Sequence, residues 1–227
     1  MRPIAAAPVA LLLAAAAASS PANASVTWSG IQQDIYARFD VDGTRYEDSA
    51  EYNSIGNLDD TVTASATIGG QTASLSTSLT TEFTSNSISW SVGGMSSAPV
   101  GFPSFSNQYA SALLALDFTL NYDAQVELDF EFMNTDADAG NVLLTFEHDT
   151  DPTIGIFTDF LIDDTADTMN YALSAGDYSI AVFYIGGMVA DGIDRESEFN
   201  LNLTVIPAPA SLAALVPLAL AATRRRR

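Results

Sequence analysis

The residues with the most chemical promise in this chain are aspartates gathered in three short stretches. These are Asn134-Thr-Asp136-Ala-Asp138-Ala-Gly140-Asn141, Glu147-His-Asp149-Thr-Asp151 and Asp163-Asp164-Thr-Ala-Asp167. Calcium takes about six to eight oxygen ligands at short range, and closely spaced carboxylates in a turn can supply them. The EF-hand loop, however, needs Gly at its sixth position and Glu at its twelfth. Counting from Asn134, Ala139 is sixth, Gly140 comes one place late, and no Glu stands twelfth. Asp40-Val-Asp42-Gly43 is a still shorter run of the same kind. Two readings therefore stand side by side. Either Asp136, Asp138, Asp149, Asp151, Asp163, Asp164 and Asp167 include calcium ligands, or these are solvated acidic turns in a chain rich in acids. No other cofactor is expected.

Catalytic constellations are thin. His148 is the only histidine and there is no cysteine, so neither a multi-histidine nor a thiolate metal site can form. Serines and aspartates abound, but no Gly-x-Ser-x-Gly elbow accompanies them. Glu127 and Glu131 on one strand face would stand about 13 Å apart, too far for the paired-carboxylate cleavage of a glycoside. Aromatic side chains are the remaining option, since sugars stack on them. Trp28, Trp90, Tyr36, Tyr46, Tyr52, Tyr109, Phe102 and Phe105 are candidates, with Trp90 reading as core and Tyr46 and Tyr52 as exposed. A glycan-acting hydrolase is the remaining enzymatic alternative, and no catalysis is expected.

The elements that must carry these residues read as strands. In Val126-Glu-Leu-Asp-Phe-Glu-Phe132 apolar and acidic residues alternate, and Phe199-Asn-Leu-Asn-Leu-Thr-Val205 repeats the pattern with polar partners. Ile35 to Asp42 and Ile88 to Val92 alternate in the same way. Thr61–Ile68 and Gln71–Leu79 flank Gly69-Gly70, whose freedom at positive φ suits a two-residue hairpin. Tyr178–Ile185 is a continuous apolar run, as expected of a strand covered on both faces. Ser111–Leu116 could form a helical turn before a strand over Asp117–Tyr122. The pattern predicts an all-β chain folded as an antiparallel β-sandwich. One domain over residues 25–204 is favoured, with a soft division near 93–107.

Charge divides the chain sharply. All 28 acidic residues lie between Asp34 and Glu198, where only Arg38, Arg45 and Arg195 oppose them, a net of −25. Such a surface repels phosphate backbones, which excludes nucleic acid as a partner. The ends are different in kind. Residues 1–24 hold Arg2, an Ala/Leu run and Ala22-Asn23-Ala24, the layout of a signal peptide with a short apolar helix and cleavage after Ala24. Residues 205–227 hold Pro207-Ala208-Pro209, a short hydrophobic helix and Arg224, Arg225, Arg226 and Arg227. The apolar part, Ala210–Ala222, would reach roughly 20 Å as a helix against a hydrocarbon core of about 30 Å. The arginines would stay cytoplasmic, leaving the acidic body across the membrane.

That tail resembles the PEP-CTERM sorting signal, a Pro-x-Pro signature followed by an apolar helix and a terminal arginine cluster. Pro207 and Pro209 match the prolines, Leu212–Ala222 the helix and Arg224–Arg227 the basic end, while Ala208 stands where the name-giving pattern has Glu. The resemblance implies export past signal peptidase, transient anchoring in the inner membrane and processing by an exosortase-like enzyme. The expected destination is the cell envelope, surface or extracellular matrix, with extracellular polysaccharide as a partner. Residues 118–184, with Leu173-Ser-Ala-Gly-Asp-Tyr-Ser-Ile180, are also similar to secreted bacterial jelly-roll domains of the pre-peptidase C-terminal and carbohydrate-binding kinds. A calcium-dependent carbohydrate-binding or adhesion module is the alternative this implies.

Overall fold

The computed structural model describes residues 25–134, 140–148, 155–161, 164–186 and 192–207, with the backbone alone over 155–161. The expected signal helix in 1–24 and the tail helix lie outside the described residues. Within them the chain forms strands β1 (Val26–Val41), β2 (Thr44–Tyr52), β3 (Leu58–Ile68), β4 (Gln71–Phe83), β5 (Ser87–Ser97) and β6 (Phe105–Leu120). There follow β7 (Ala124–Asn134), β8 (Gly140–His148), β9 (Gly155–Leu161), β10 (Thr165–Leu173), β11 (Gly176–Gly186) and β12 (Arg195–Pro207).

These strands pair antiparallel into two six-stranded sheets. The first, sheet A, has the order β2-β1-β6-β11-β8-β9, and sheet B the order β10-β7-β12-β5-β4-β3. Strands β5 to β12 supply β5-β12-β7-β10 to one sheet and β6-β11-β8-β9 to the other, the interleaved double Greek key of a jelly roll. Strands β1 and β2 extend sheet A beyond β6, and β4 and β3 extend sheet B beyond β5. Each sheet thus mixes strands from before and after residues 93–107, of which 98–104 form the loop and the rest belong to β5 and β6.

Side-chain alternation along the pleat fills the space between the sheets. Val126, Leu128, Phe130 and Phe132 of β7 and Phe199, Leu201, Leu203 and Val205 of β12 are buried, and they meet Phe39, Leu114, Phe118, Phe146 and Tyr184 from sheet A. Each such side chain contributes about 1.5–3 kcal/mol on leaving water. Ser111–Leu116 is strand throughout, the middle of the sixteen-residue β6. Its helix-forming Ala and Leu residues are overridden by pairing with β1 on one side and β11 on the other.

Strand β11 departs from the sequence reading. Tyr178, Ile180, Val182 and Tyr184 are buried, but Phe183 on the other face is 42% exposed. The apolar run is central in its sheet yet covered on one face only. Tyr46 and Tyr52 also depart, because both pack against the core from the inner face of β2 rather than standing free. Asp42 and Gly43 form the two-residue turn between β1 and β2, with φ of 48° and 77°. Positive φ at both positions is what a type I′ hairpin demands, so this run is a turn signal and not a ligand loop.

The sheet edges are occupied by carboxylates. On β2, Asp48 Oδ1 accepts from Ser49 N (3.0 Å) and its Oδ2 accepts from Thr63 N of β3 (3.0 Å). On β3, Asp60 Oδ1 accepts from Thr61 N (2.8 Å) while its Oδ2 accepts from the Tyr52 hydroxyl of β2. On β10, Asp167 Oδ1 accepts from Thr168 N (2.8 Å). Two of these three aspartates also tie sheet A to sheet B across the β2–β3 seam. The Asp60 partner pushes the Tyr52 phenol from the ordinary 10.0 up to about 12, with burial adding to the effect. The folded-state value lies above the unfolded one, so this bond stabilises the fold fully below pH 10. That contribution is lost as pH rises through about 12. An ultraviolet difference titration of the wild type against Tyr52→Phe is expected to show one phenol ionising near that upper value and absent from the variant.

Candidate functional site

Of the seven aspartates expected as calcium ligands, Asp136, Asp138, Asp149, Asp151 and Asp163 lie outside the described residues. Asp164 and Asp167 are both exposed, and each is engaged by backbone. Asp164 Oδ1 accepts from Asn134 N at 2.8 Å, and Asp167 guards the β10 edge. Among the described residues, no group of three or more His, Cys, Asp or Glu side chains is placed to hold a metal ion. His148 lies edge-on to Tyr178, ring centroids 4.9 Å apart, at the end of β8. The prolines divide at the boundary: Pro207 ends β12, while Ala208, Pro209 and Arg224–Arg227 lie outside the described residues, as do Ala22 and Ala24.

Most of the aromatic candidates are structural. Trp90 is buried against Phe199, Phe102 stacks on Phe105 at 5.3 Å, and Tyr46 stacks on Phe39 at 5.5 Å. Trp28 packs on Phe83 and Phe118 and donates its indole N–H to Thr84 O at 3.0 Å. Tyr36 and Tyr109 are the exception. Tyr36 alternates with buried Ile35 and Ala37, and Tyr109 pairs across the ladder with Arg38, so both stand on the outer face of sheet A. Their rings stack with centroids 5.4 Å apart and planes inclined by 26°.

A bulge sets this pair. Between Arg38↔Tyr109 and Asp40↔Ser106 the β6 strand carries one residue more than β1. Asn107 takes up the extra length with φ of 48°, a conformation that asparagine tolerates better than most side chains. From there its Nδ2 donates to Asp40 Oδ2 at 2.9 Å. Arg38 Nη2 donates to the same oxygen at 3.4 Å, and Arg45 Nε lies 3.6 Å from Asp40 Oδ1 and 3.9 Å from Glu47 Oε2. The Tyr36 hydroxyl donates to Glu47 Oε2 at 2.9 Å. The Asn107 donor, helped by the two arginines, holds the Asp40 carboxyl below the usual carboxylate range. Burial, and then the bond to Glu47, push the Tyr36 phenol upward. Arg38 Nε and Gln108 Oε1 are buried here without a protein hydrogen-bond partner.

The outer face of sheet B is different in character. Gly93 of β5 leaves a gap between Glu198 of β12 and Ser78 of β4, and a groove of roughly 780 Å³ opens over it. Met95 and Met133, 52% and 39% exposed, stand beside it with Glu196, Glu198 and Asp164. Along the same face Asp129 lies opposite Asn202, and Glu131 opposite Asn200. These alternating carboxylates and amides follow directly from the acidic and Asn-rich strands of the sequence.

Neither a family model nor any curated protein matches this chain.

The tyrosine corner depends on Asn107 as both bulge residue and donor. Asn107→Ala is expected to destabilise the fold by about 1–2 kcal/mol, combining a strained backbone with the lost bond to Asp40. Asn107→Gly keeps the backbone relaxed and should cost less, a ranking that urea unfolding of the two variants would check.

Proposed function

We propose that this chain is an exported bacterial envelope or extracellular-matrix protein, delivered by its C-terminal sorting tail, whose sandwich binds or supports without catalysing. The observation that carries this reading is the fit between the expected cut points and the ends of the sheets. Strand β1 begins at Val26, two residues after Ala24, and β12 ends at Pro207, the first proline of the tail signature. Ser25 N donates to Asn121 Oδ1 at 3.0 Å, so the expected new N-terminus is held at the sheet. At the other end Val205 N donates to Asn86 O at 2.8 Å and Asn86 Nδ2 donates to Val205 O at 3.3 Å. Strand β12 lies between β7 and β5, so removing everything beyond Pro209 leaves an interior strand fully paired. Signal peptidase and an exosortase-like enzyme are the processing partners of this reading, and extracellular polysaccharide is its matrix partner.

Intact mass and C-terminal peptide mapping of the protein from its native cells test the delivery. Loss of residues 1–24 together with an end near Pro207–Pro209 is expected; mature protein that retains Arg227 would make the tail a permanent anchor. The same reading leaves the aspartate turns solvated, so calcium should leave the melting temperature unchanged relative to chelator. A rise of several degrees with calcium would favour the calcium-dependent adhesion module instead.

A further inference from the structure

We propose that the outer face of sheet A at the β1–β6 bulge binds a polysaccharide of neutral pyranose units, its rings stacking on the Tyr36–Tyr109 pair and on Phe183. This inference rests on the binding part of the reading above and is independent of the delivery part.

Three features of the corner converge on that ligand. Apolar surface comes first. Tyr36 faces Ser111 across the ladder and Ser111 faces Ile185, while Leu113 one step along faces Phe183. From Tyr36 to Phe183 is thus two strands sideways and two residues along, about 12 Å by strand spacing and rise. That span suits two to three sugar rings at roughly 5 Å each, with an aromatic face at either end. Phe183 is 42% exposed in the middle of its sheet, where a side chain with only a core role would face inward.

Polar groups come second. A sugar ring lying on a tyrosine presents hydroxyls at its rim, and these need donors and acceptors held rigidly at the edge of the aromatic surface. Arg38, Asp40 and Asn107 provide them beside Tyr109, fixed by their mutual bonds and by the bulge.

Charge decides the class of sugar. Two of the three arginines in the acidic body, Arg38 and Arg45, sit here, and Asp40 and Glu47 neutralise them. Asp34 and Glu51 face each other one step along the same outer face, in the row of Leu113 and Phe183, so the surface between Tyr36 and Phe183 carries excess carboxylate. A polyanion would be repelled by this face and by the body, and a polycation would be drawn to the carboxylates of both sheets rather than to this face in particular. Neutral rings meet no such repulsion, and their rim hydroxyls can donate to the exposed Glu51 carboxylate.

The test is affinity electrophoresis or calorimetry of the purified full chain against soluble neutral glucans, mannans and galactans, an acidic uronan and a cationic amino-sugar polymer. At least one neutral polysaccharide is expected to bind, with little dependence on salt. Tyr36→Ala, Tyr109→Ala and Phe183→Ala should each weaken that binding by about tenfold. Met95→Ala on sheet B should leave it unchanged, and circular dichroism would establish that each variant is folded. Should Tyr109→Ala fail to fold, Tyr36→Ala and Phe183→Ala still decide the matter. No neutral polysaccharide bound, binding confined to the uronan or the amino-sugar polymer, or binding that survives the folded variants at full strength would each overturn the proposal. None of those outcomes touches the mass of the mature chain, so the delivery reading stands or falls separately.

Discussion

A sandwich of two open sheets has four edges, each a row of backbone donors and acceptors ready to pair with another chain. Everything else in this molecule depends on keeping those rows from finding partners. The chain has no lysine or proline along β2, β3 or β10 to do so. It uses aspartate instead, and Asp48, Asp60 and Asp167 each take the N–H of the next residue. Asp48 and Asp60 spend their second oxygens on the opposite sheet, which draws β2 and β3 together into a seam. The same residues that protect the edges therefore hold the layers in register. A chain with no cysteine to staple its layers gains from that double use.

This recasts the acidity. Read from composition, a net of −25 speaks of solubility or of bound cations. In the folded protein some of it is local structural chemistry, with Asp40 fixing a bulge, Asp164 holding Asn134 N and Asp123 accepting from Ala175 N at 3.2 Å. Another part lies on the outer face of sheet B, where Glu127, Asp129 and Glu131 alternate with buried neighbours. There the pleat obliges every second residue of a strand to face water.

That pleat is why the fold class could be read from sequence. Val126–Phe132, Phe199–Val205 and Ile88–Val92 carry a period of two that no helix can satisfy, and Gly69-Gly70 is a hairpin signal, here with φ of 60° and 81°. The order of strands in the sheets was not legible, because strands β5 and β12, over a hundred residues apart in sequence, become neighbours through topology rather than local pattern. For the same reason, the pairing of Tyr36 with Tyr109 could not be found. Their residue types were suggestive, but only the β1–β6 register and its extra residue at Asn107 put the rings side by side. Asp42-Gly43, read from the sequence only as part of a short acidic run, is a hairpin turn, the commonest use of that dipeptide between alternating segments. Phe183 misleads in the opposite sense, since an apolar run reads as doubly buried whatever its outer face does.

Strand β6 runs the length of sheet A, from the tyrosine corner to the pole where the chain ends leave. Its C-terminal residue Leu120 pairs with Val26 at the start of β1, next to Asn121 that holds Ser25 N, and Pro207 pairs with Ala124 just beyond the turn. Both chain exits therefore leave from one pole of the sandwich. Tyr109 lies eleven residues back along the same strand, about 36 Å away at the rise of an antiparallel strand. A tail that tethers the protein at the Pro207 pole would thus hold the aromatic corner at the far pole, pointing away from the membrane. Net negative charge along the intervening faces would keep such a tethered body off an anionic lipid surface and reinforce that orientation. The proposed delivery through the tail and the proposed binding at the tyrosine corner are in this way compatible by geometry, since neither needs the surface that the other uses.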